Sequence, residues 1–308
     1  MCWWCFYPDQ RPLPGRCGSQ CRGDSPSGSN KKSRGELYSR TSLNDATQSG
    51  QEVNIEKIEF RESRDSDDHP LSTPVMVGLD VTGSMGIIPE RLTKGGLGTL
   101  MNELLQKKPI SDPQLLFMGI GDAVVRDRAP LQVTQFESDN KICDQLTDLW
   151  LEGGGGGNNF ESYDLAWAFA SGKTRTDAWD KRQQKGFLFT VGDEMFPRQT
   201  SSDYLKNIFG PTGLQNPTPE TLLESAQEKW NVYHIIIAQG SYAKSLGPKK
   251  VKDDWAQRLH KRALVLADYE YLPHLIISII ALENGLELEE VMEWWDQSCV
   301  KVLEYAFS

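Results

Sequence analysis

The sequence predicts an α/β fold, a three-layer sandwich with a mostly parallel central sheet between helices. Three observations carry that expectation. From about Pro74 onward, short apolar runs alternate with stretches of helical periodicity. The runs TPVMVGLD, QLLFMGIGDA, KGFLFTVGDE, VYHIIIAQ and ALVLAD are continuously apolar, as strands covered on both faces are. TPVMVGLD and KGFLFTVGDE each end in acid, and open parallel sheets keep ligand sites beyond their carboxyl ends, where strand order reverses.

Taken in order, residues 1–70 read as a Cys- and Ser-rich tail. GDSPSGSNKKSRGELYSRTSLNDATQSGQE has too few large apolar groups to offset the entropy of ordering it. Within that tail VNIEKIEF alternates as a short edge strand does. Residues 71–308 form the folded domain. TPVMVGLD is its first buried strand, and Gly86 to Lys107 follow as one helix with Leu92, Leu97, Leu100, Leu104 and Leu105 inward. QLLFMGIGDA and the more alternating LQVTQFES are strands. Lys141 to Leu151 is helical, with Ile142, Leu146, Leu149 and Trp150 spaced by three and four.

A glycine run, Gly153 to Gly157, precedes NNFESYDLAWAFASG, which opens another helix. KGFLFTVGDE is a strand, and Thr218 or Thr221 caps the helix of TPETLLESAQEKW. VYHIIIAQ and ALVLAD are strands separated by the helix DDWAQRLHKR, and YLPHLIISIIALENG is a helix begun near Pro273. Residues 286–308 add a C-terminal amphipathic helical extension, whose Trp294 and Trp295 pack it onto the domain or face a partner. Trp150, Trp167 and Trp230 are read as packing residues, and Cys143 and Cys299 as small buried groups.

Bulk properties narrow the function classes. The 308 residues hold 33 Lys plus Arg against 43 Asp plus Glu, a formal charge of −10 that disfavours a nonspecific nucleic-acid binder. No run of eighteen apolar residues is present, so no membrane partner is expected. MCWWCFYPDQRPLPGR lacks the form of a signal peptide, and the expected compartment is cytoplasmic. Oligomeric state is not set by these numbers.

The chemistry concentrates at strand ends. In LDVTGSMG, Asp80, Thr82 and Ser84 follow the first strand at alternate positions and can aim their oxygens at one point. Asp193 ends a second strand in the same way, and Asn158 and Asn159 close the glycine run. All are oxygen donors, without sulfur or imidazole, a set that suits Mg²⁺, with Mn²⁺ or Ca²⁺ as alternatives. A lone DxTxS is as readily a helix cap, but three such elements in order argue for a site. Asp122, in GIGDAVVRD with Asp127, either lines the same rim or is a solvent-facing loop acid, the latter slightly favoured, and Glu194 poses the same choice.

DVTGSM, GGGGNNFES and FTVGDE together resemble the three loops of the von Willebrand factor A-type domain, over roughly residues 72–285. That resemblance implies a Rossmann-like three-layer sandwich with a metal-ion-dependent adhesion site. Carried over, Thr82 and Ser84 would ligate the ion directly, Asp80 and Asp193 would hold it partly through waters, and Asn158 or Asn159 would take the second-loop position. The family usually has Thr or Asp there, so the site is a variant, and the missing signal peptide suits the intracellular, bacterial-like members. Glu161 would orient a water or cap the following helix, with capping favoured by its place in the first turn. The implied function is recognition of a protein partner through an acidic side chain on the bound cation.

Two other functions remain open. A Mg-dependent phosphoryl-transfer hydrolase would use Asp80 as nucleophile, although DVTGS lacks a second Asp two residues on, and no GxxxxGK[ST] loop is present. A metal-independent interaction scaffold is the third reading, and enzymatic activity is left undecided. His69, His234, His260 and His274 are scattered, with His234 in a buried-strand pattern. In the tail, Cys2, Cys5, Cys17 and Cys21 have spacing that can hold a structural Zn²⁺, set against a tail with free thiols.

Overall fold

Among the described residues, six strands form the central sheet, in the order Leu131–Val133, Pro113–Ile120, Thr73–Asp80, Gly186–Gly192, Trp230–Ile237, Ala263–Leu266. The computed structural model describes residues 55, 58–125, 127–154, 157–210 and 217–308. Cys2, Cys5, Cys17 and Cys21, the candidate zinc ligands, lie outside them.

β2 (Thr73–Asp80) is the central strand and buried along its whole length, as its apolar run predicts. It pairs in parallel with β3 (Pro113–Ile120) on one side and β6 (Gly186–Gly192) on the other. β7 (Trp230–Ile237) and β8 (Ala263–Leu266) continue in parallel beyond β6. Only β4 (Leu131–Val133) runs antiparallel, at the far edge. The chain steps outward from β2 to β3 and β4, then returns to the other side of β2 as β6. The strand order therefore reverses beside Asp80 and Gly192, which places the predicted crevice at their carboxyl ends.

Helices cover both faces. Val75, Val77 and Leu79 of β2 point into one core, with α1 (Ile88–Arg91), α2 (Leu97–Lys107), α3 (Lys141–Leu146) and residues from the chain's C-terminal end. Met76 points into the other, with α4 (Tyr163–Gly172) and later helices of the chain. Asp80 shares the parity of Met76 and Gly78, so it lies on the α4 face of the sheet.

The predicted helix from Gly86 to Lys107 is interrupted. A π-helical turn at Leu92–Gly96 separates α1 from α2, because Gly95 and Gly96 weaken the helix there. Leu92, Leu97, Leu100 and Leu104 are buried as expected, whereas Leu105 is 42% exposed. α3 stops at Leu146, short of the expected Leu151, and α4 begins at Tyr163 rather than at the asparagines. The edge strand expected over 53–60 is not formed at 58–60. A strand β1 (Arg61–Ser63) comes instead just after it, and pairs in parallel with β5 (Thr174–Thr176) as a separate two-stranded sheet.

Four further helices follow shorter signals: α5 (Asp177–Arg182), α6 (Ser202–Phe209), α7 (Pro219–Lys229) and α8 (Ser241–Leu246). Of these, α7 was expected, and Thr218 is its cap, joined reciprocally to Thr221. α9 (Pro248–Leu259) leads to β8, and α10 (Leu272–Glu283) is apolar on nearly every side. It can be so because the sheet, α2 and the C-terminal segment enclose it. That segment is two helices, α11 (Leu288–Met292) and α12 (Gln297–Phe307), rather than one. Trp295 donates its indole N–H to Ser278 on α10 at 2.9 Å, which settles its role as packing. Trp167 and Trp230 are buried, Trp230 on a strand rather than a helix, and Trp150 is half-buried.

Asp65 fastens the segment before β2. Its carboxylate accepts the Ser72 hydroxyl at 2.7 Å and the Arg182 guanidinium at 2.8 Å, with Lys181 at 3.2 Å. Chiefly through Arg182, its acidity is held well below the usual carboxylate range. Asp65→Asn is expected to cost about 1–3 kcal/mol at pH 7 in urea unfolding. Because the folded carboxyl is the more acidic, its contribution is present above about pH 4 and fades below it. The gap between parent and variant should narrow accordingly as the pH falls below that point.

Candidate functional site

The sheet reversal brings four of the six predicted site residues into one line of oxygens. Asp80, the last residue of β2, is 0% exposed. Its Oδ1 accepts the Thr82 amide at 2.8 Å and the Thr82 hydroxyl at 2.7 Å, and its Oδ2 accepts the Tyr163 hydroxyl at 2.8 Å. Thr82 Oγ1 lies 3.2 Å from Ser84 Oγ, which donates to Asp193 Oδ1 at 2.6 Å. Extended backbone at Thr82, then a 3₁₀ turn at Gly83–Met85, puts the alternate oxygens on one side.

The loops around this line are tied by backbone. Gly83 N–H donates to Gly154 O at 2.7 Å, and Gly153 N–H to Val81 O at 3.1 Å, so Gly153 and Gly154 lie against the first loop. Met195 N–H donates to Asn159 O at 3.2 Å, joining the second loop to the third. The start of α8 closes the other side. Tyr242 N–H donates to Asp193 Oδ2 at 2.8 Å, and the Ser241 hydroxyl to Ser84 O at 2.9 Å. Gly240 and Gly192 permit the close approach. A Cβ on Gly240 would lie 2.3 Å from the Asp193 side chain, and one on Gly192 only 1.9 Å from the Tyr163 hydroxyl.

The two asparagines part company. Asn158 donates its amide to Asp122 Oδ2, and its own Oδ1 is buried without a partner. Asn159 is exposed and contributes its backbone carbonyl. Asp122 is fully buried, which corrects the expectation of a solvent-facing acid. It accepts Val124 N–H at 2.7 Å and sits within the loop cluster. Glu161 does not cap α4. Ser162 is the N-cap, and Glu161 lies before it, 1% exposed, with Oε2 unpartnered. Glu194 is 7% exposed, also with an unpartnered Oε2. The first-turn rule failed at Glu161 because α4 starts only at Tyr163, beyond the start that the pattern suggests.

Burial of so many carboxylates together has a clear electrostatic result. Burial, and then the charge of Asp193, push Asp80 up to about 7. Burial followed by Asp80 and Asp193 lifts Glu194 to about 8, and burial followed by Asp80 and Glu194 lifts Glu161 to about 11. Asp193 is raised as well, by burial. No ion pair among the described residues involves Asp80, Asp122, Glu161, Asp193 or Glu194. Like charges held in a low-dielectric site with unpartnered oxygens keep protons unless a cation replaces them.

The donor set therefore fits a hard divalent cation by type: carboxylates of Asp80 and Asp193, hydroxyls of Thr82 and Ser84, and open oxygens of Glu161, Glu194 and Asn158 nearby. Among the described residues, no group of three or more His, Cys, Asp and Glu side chains is arranged to enclose a metal ion. His234 is a core residue, as expected. It is fully buried, lies 2.9 Å from the Thr190 hydroxyl and stacks on Trp255 at 3.5 Å. Pattern reading missed Tyr163, Tyr242 and Gly240, whose roles arise only from tertiary contact.

Comparison with solved structures finds distant likenesses. The pilus adhesin SpaC from Lactobacillus rhamnosus GG, in its open conformation, aligns over 72% of this chain and 31% of its own, at 10% identity and TM-score 0.45. Proximal thread matrix protein 1 from the mussel byssus aligns over 75% and 48%, at 11% identity and TM-score 0.44. A von Willebrand factor type A structure from Catenulispora acidiphila aligns over 77% and 50%, at 14% identity and TM-score 0.39. The chain thus spans about a third to a half of these proteins. No family profile and no curated protein matches it. The sandwich architecture itself rests on the strand order and the two-sided helix cover. No helix among the described residues is long and apolar enough to cross a membrane.

Two outcomes are expected of the site as it stands. Asp80 and Glu194 are raised in the folded state, so their stabilising contribution is complete below about pH 4 and is lost as pH climbs through about 7 and 8. Protein kept in EDTA should therefore lose on the order of 2 kcal/mol between pH 5 and pH 8, read by urea unfolding, and Asp80→Asn should flatten that decline. Gly192→Ala should cost at least about 1–3 kcal/mol by driving a methyl into Tyr163 and Asp80, with circular dichroism and thermal melts as the measure.

Proposed function

We propose that the loop cluster at the carboxyl ends of β2 and β6 holds a divalent cation, Mg²⁺ before Mn²⁺ or Ca²⁺, and through it binds an acidic side chain of a protein partner. The observation that supports this reading most is the line of oxygens Asp80–Thr82–Ser84–Asp193, set among buried acids without a basic partner. Asp80 and Asp193 supply charge, Thr82 and Ser84 supply neutral hydroxyl oxygens, and Tyr163 and Tyr242 hold the two acids in place. When bound, the cation would offer an unfilled coordination position to an incoming carboxylate. On this reading the chain is a variant member of the von Willebrand factor A-type group, acting inside the cell, with Asn158 and Glu161 near the position usually held by Thr or Asp.

One observation weighs against the phosphoryl-transfer alternative. Asp80 is fully buried with both carboxylate oxygens engaged in hydrogen bonds, a poor state for a nucleophile. The metal-independent scaffold is the reading that survives if the ion does not bind.

Titration calorimetry of Mg²⁺ and Mn²⁺ into metal-stripped protein is the test. Saturable binding is expected in the parent and none in Asp80→Ala/Ser84→Ala, with the double variant still folded by circular dichroism. Mg²⁺ at a hundred times its Kd should also stabilise the parent by about 2.7 kcal/mol. Absence of both effects in the parent would overturn the metal-dependent reading.

A further inference from the structure

Beside the oxygen line lies a small pocket of about 240 Å³, lined by Asn158, Asn159, Phe160, Met195, Arg198 and Tyr242. Its walls border the proposed cation site. Asn158 is bonded to Asp122, Tyr242 N–H holds Asp193, and Met195 stands two residues beyond Asp193. Phe160 and Met195 are zipped side by side by a parallel bridge, which fixes them as neighbouring walls. Phe160, Met195 and Tyr242 are each half-buried, so the walls are apolar and reachable. Arg198 stands at the rim with its side chain 45% exposed, and its guanidinium donates one N–H to Asp254 at 2.6 Å.

We propose that this pocket is the specificity subsite of the recognition surface, and that it takes one large apolar side chain, Leu, Met or Phe, neighbouring the partner's acidic residue in an extended segment. The inference rests on the metal-dependent reading above and adds the chemistry of the partner to it. Three observations argue for this occupant. The volume lies below the 300–1,000 Å³ of pockets for drug-sized ligands, and suits a single side chain. Two of the pocket's walls, Tyr242 and Met195, adjoin Asp193, so neighbouring residues of one extended segment can fill the pocket and reach the cation site. Arg198 offers remaining N–H groups at the mouth, where a peptide carbonyl or a second acid of the segment would lie, and complements an acidic partner. Binding energy in such interfaces concentrates in a few side chains seated in well-packed, desolvated pockets, which is the role given to this side chain.

The test is a phage-displayed random heptapeptide library panned on the full chain with Mg²⁺ and eluted with EDTA. Released peptides are expected to pair Asp or Glu with Leu, Met or Phe at one fixed spacing. Changing that apolar residue to Ala in a synthetic copy should weaken binding at least tenfold by fluorescence polarisation. Met195→Trp, which fills the pocket, should abolish capture of the same peptides while Mg²⁺ binding by calorimetry stays unchanged. Should that variant fail to fold, the Ala-substituted peptide on the parent protein decides alone. Acidic peptides without apolar preference, or no enriched peptide although Mg²⁺ binds, would overturn the subsite and leave the cation site standing. Peptides retained through EDTA, or a parent that binds no Mg²⁺, would overturn the metal-dependent reading and this inference with it.

Discussion

Everything at the working end of this molecule depends on the burial of Asp80. A carboxylate at the end of the central strand, wholly shielded from water, is costly unless its oxygens are satisfied. Here they are satisfied by the Thr82 amide and hydroxyl and by Tyr163, groups drawn from the adjoining loop and from α4. The position of Tyr163 in turn depends on Gly192, where any side chain would occupy the space of its hydroxyl. One buried acid thus sets the distance between β2, β6 and the start of α4.

The surrounding loops are braced rather than loose. Gly153 and Gly154 are hydrogen-bonded to the first loop, the second loop to the third, and the amino end of α8 to both Ser84 and Asp193. This bracing keeps Asp80, Asp193, Glu161 and Glu194 together against their mutual repulsion. The strain of like charges is balanced by packing elsewhere, in the two apolar cores that clamp the sheet. The pocket of Phe160, Met195 and Tyr242 extends the same braced surface with an apolar wall.

Much of this was legible in the chain. Continuous apolar runs marked β2, β3, β6, β7 and β8, since strands covered on both faces need no polar side. Asp80, Thr82, Ser84 and Asp193 were legible as a candidate cluster because acids at the ends of such runs, one followed by hydroxyls at alternate positions, form a local pattern. The short elements were not. α5 and α8 have six residues each and α6 has eight, too few for a clear periodic signal, and β5 has three residues. The break at Gly95–Gly96 and the late start of α4 were read as continuous helix, because glycine and polar residues weaken a helix without forbidding it.

The sequence by itself determined the alternation of strand and helix, the two acidic strand ends and their hydroxyl neighbours, because those follow from local periodicity and residue type. Only the tertiary structure decided which groups meet. It turned Asp122 inward, left Glu161 ahead of its helix among other acids, exposed Asn159, and brought Tyr163, Tyr242 and Gly240 to the site from distant positions. The physical reason is that burial and mutual repulsion are properties of neighbours in space, and the strand order that makes β2 and β6 neighbours is set by packing across the whole chain.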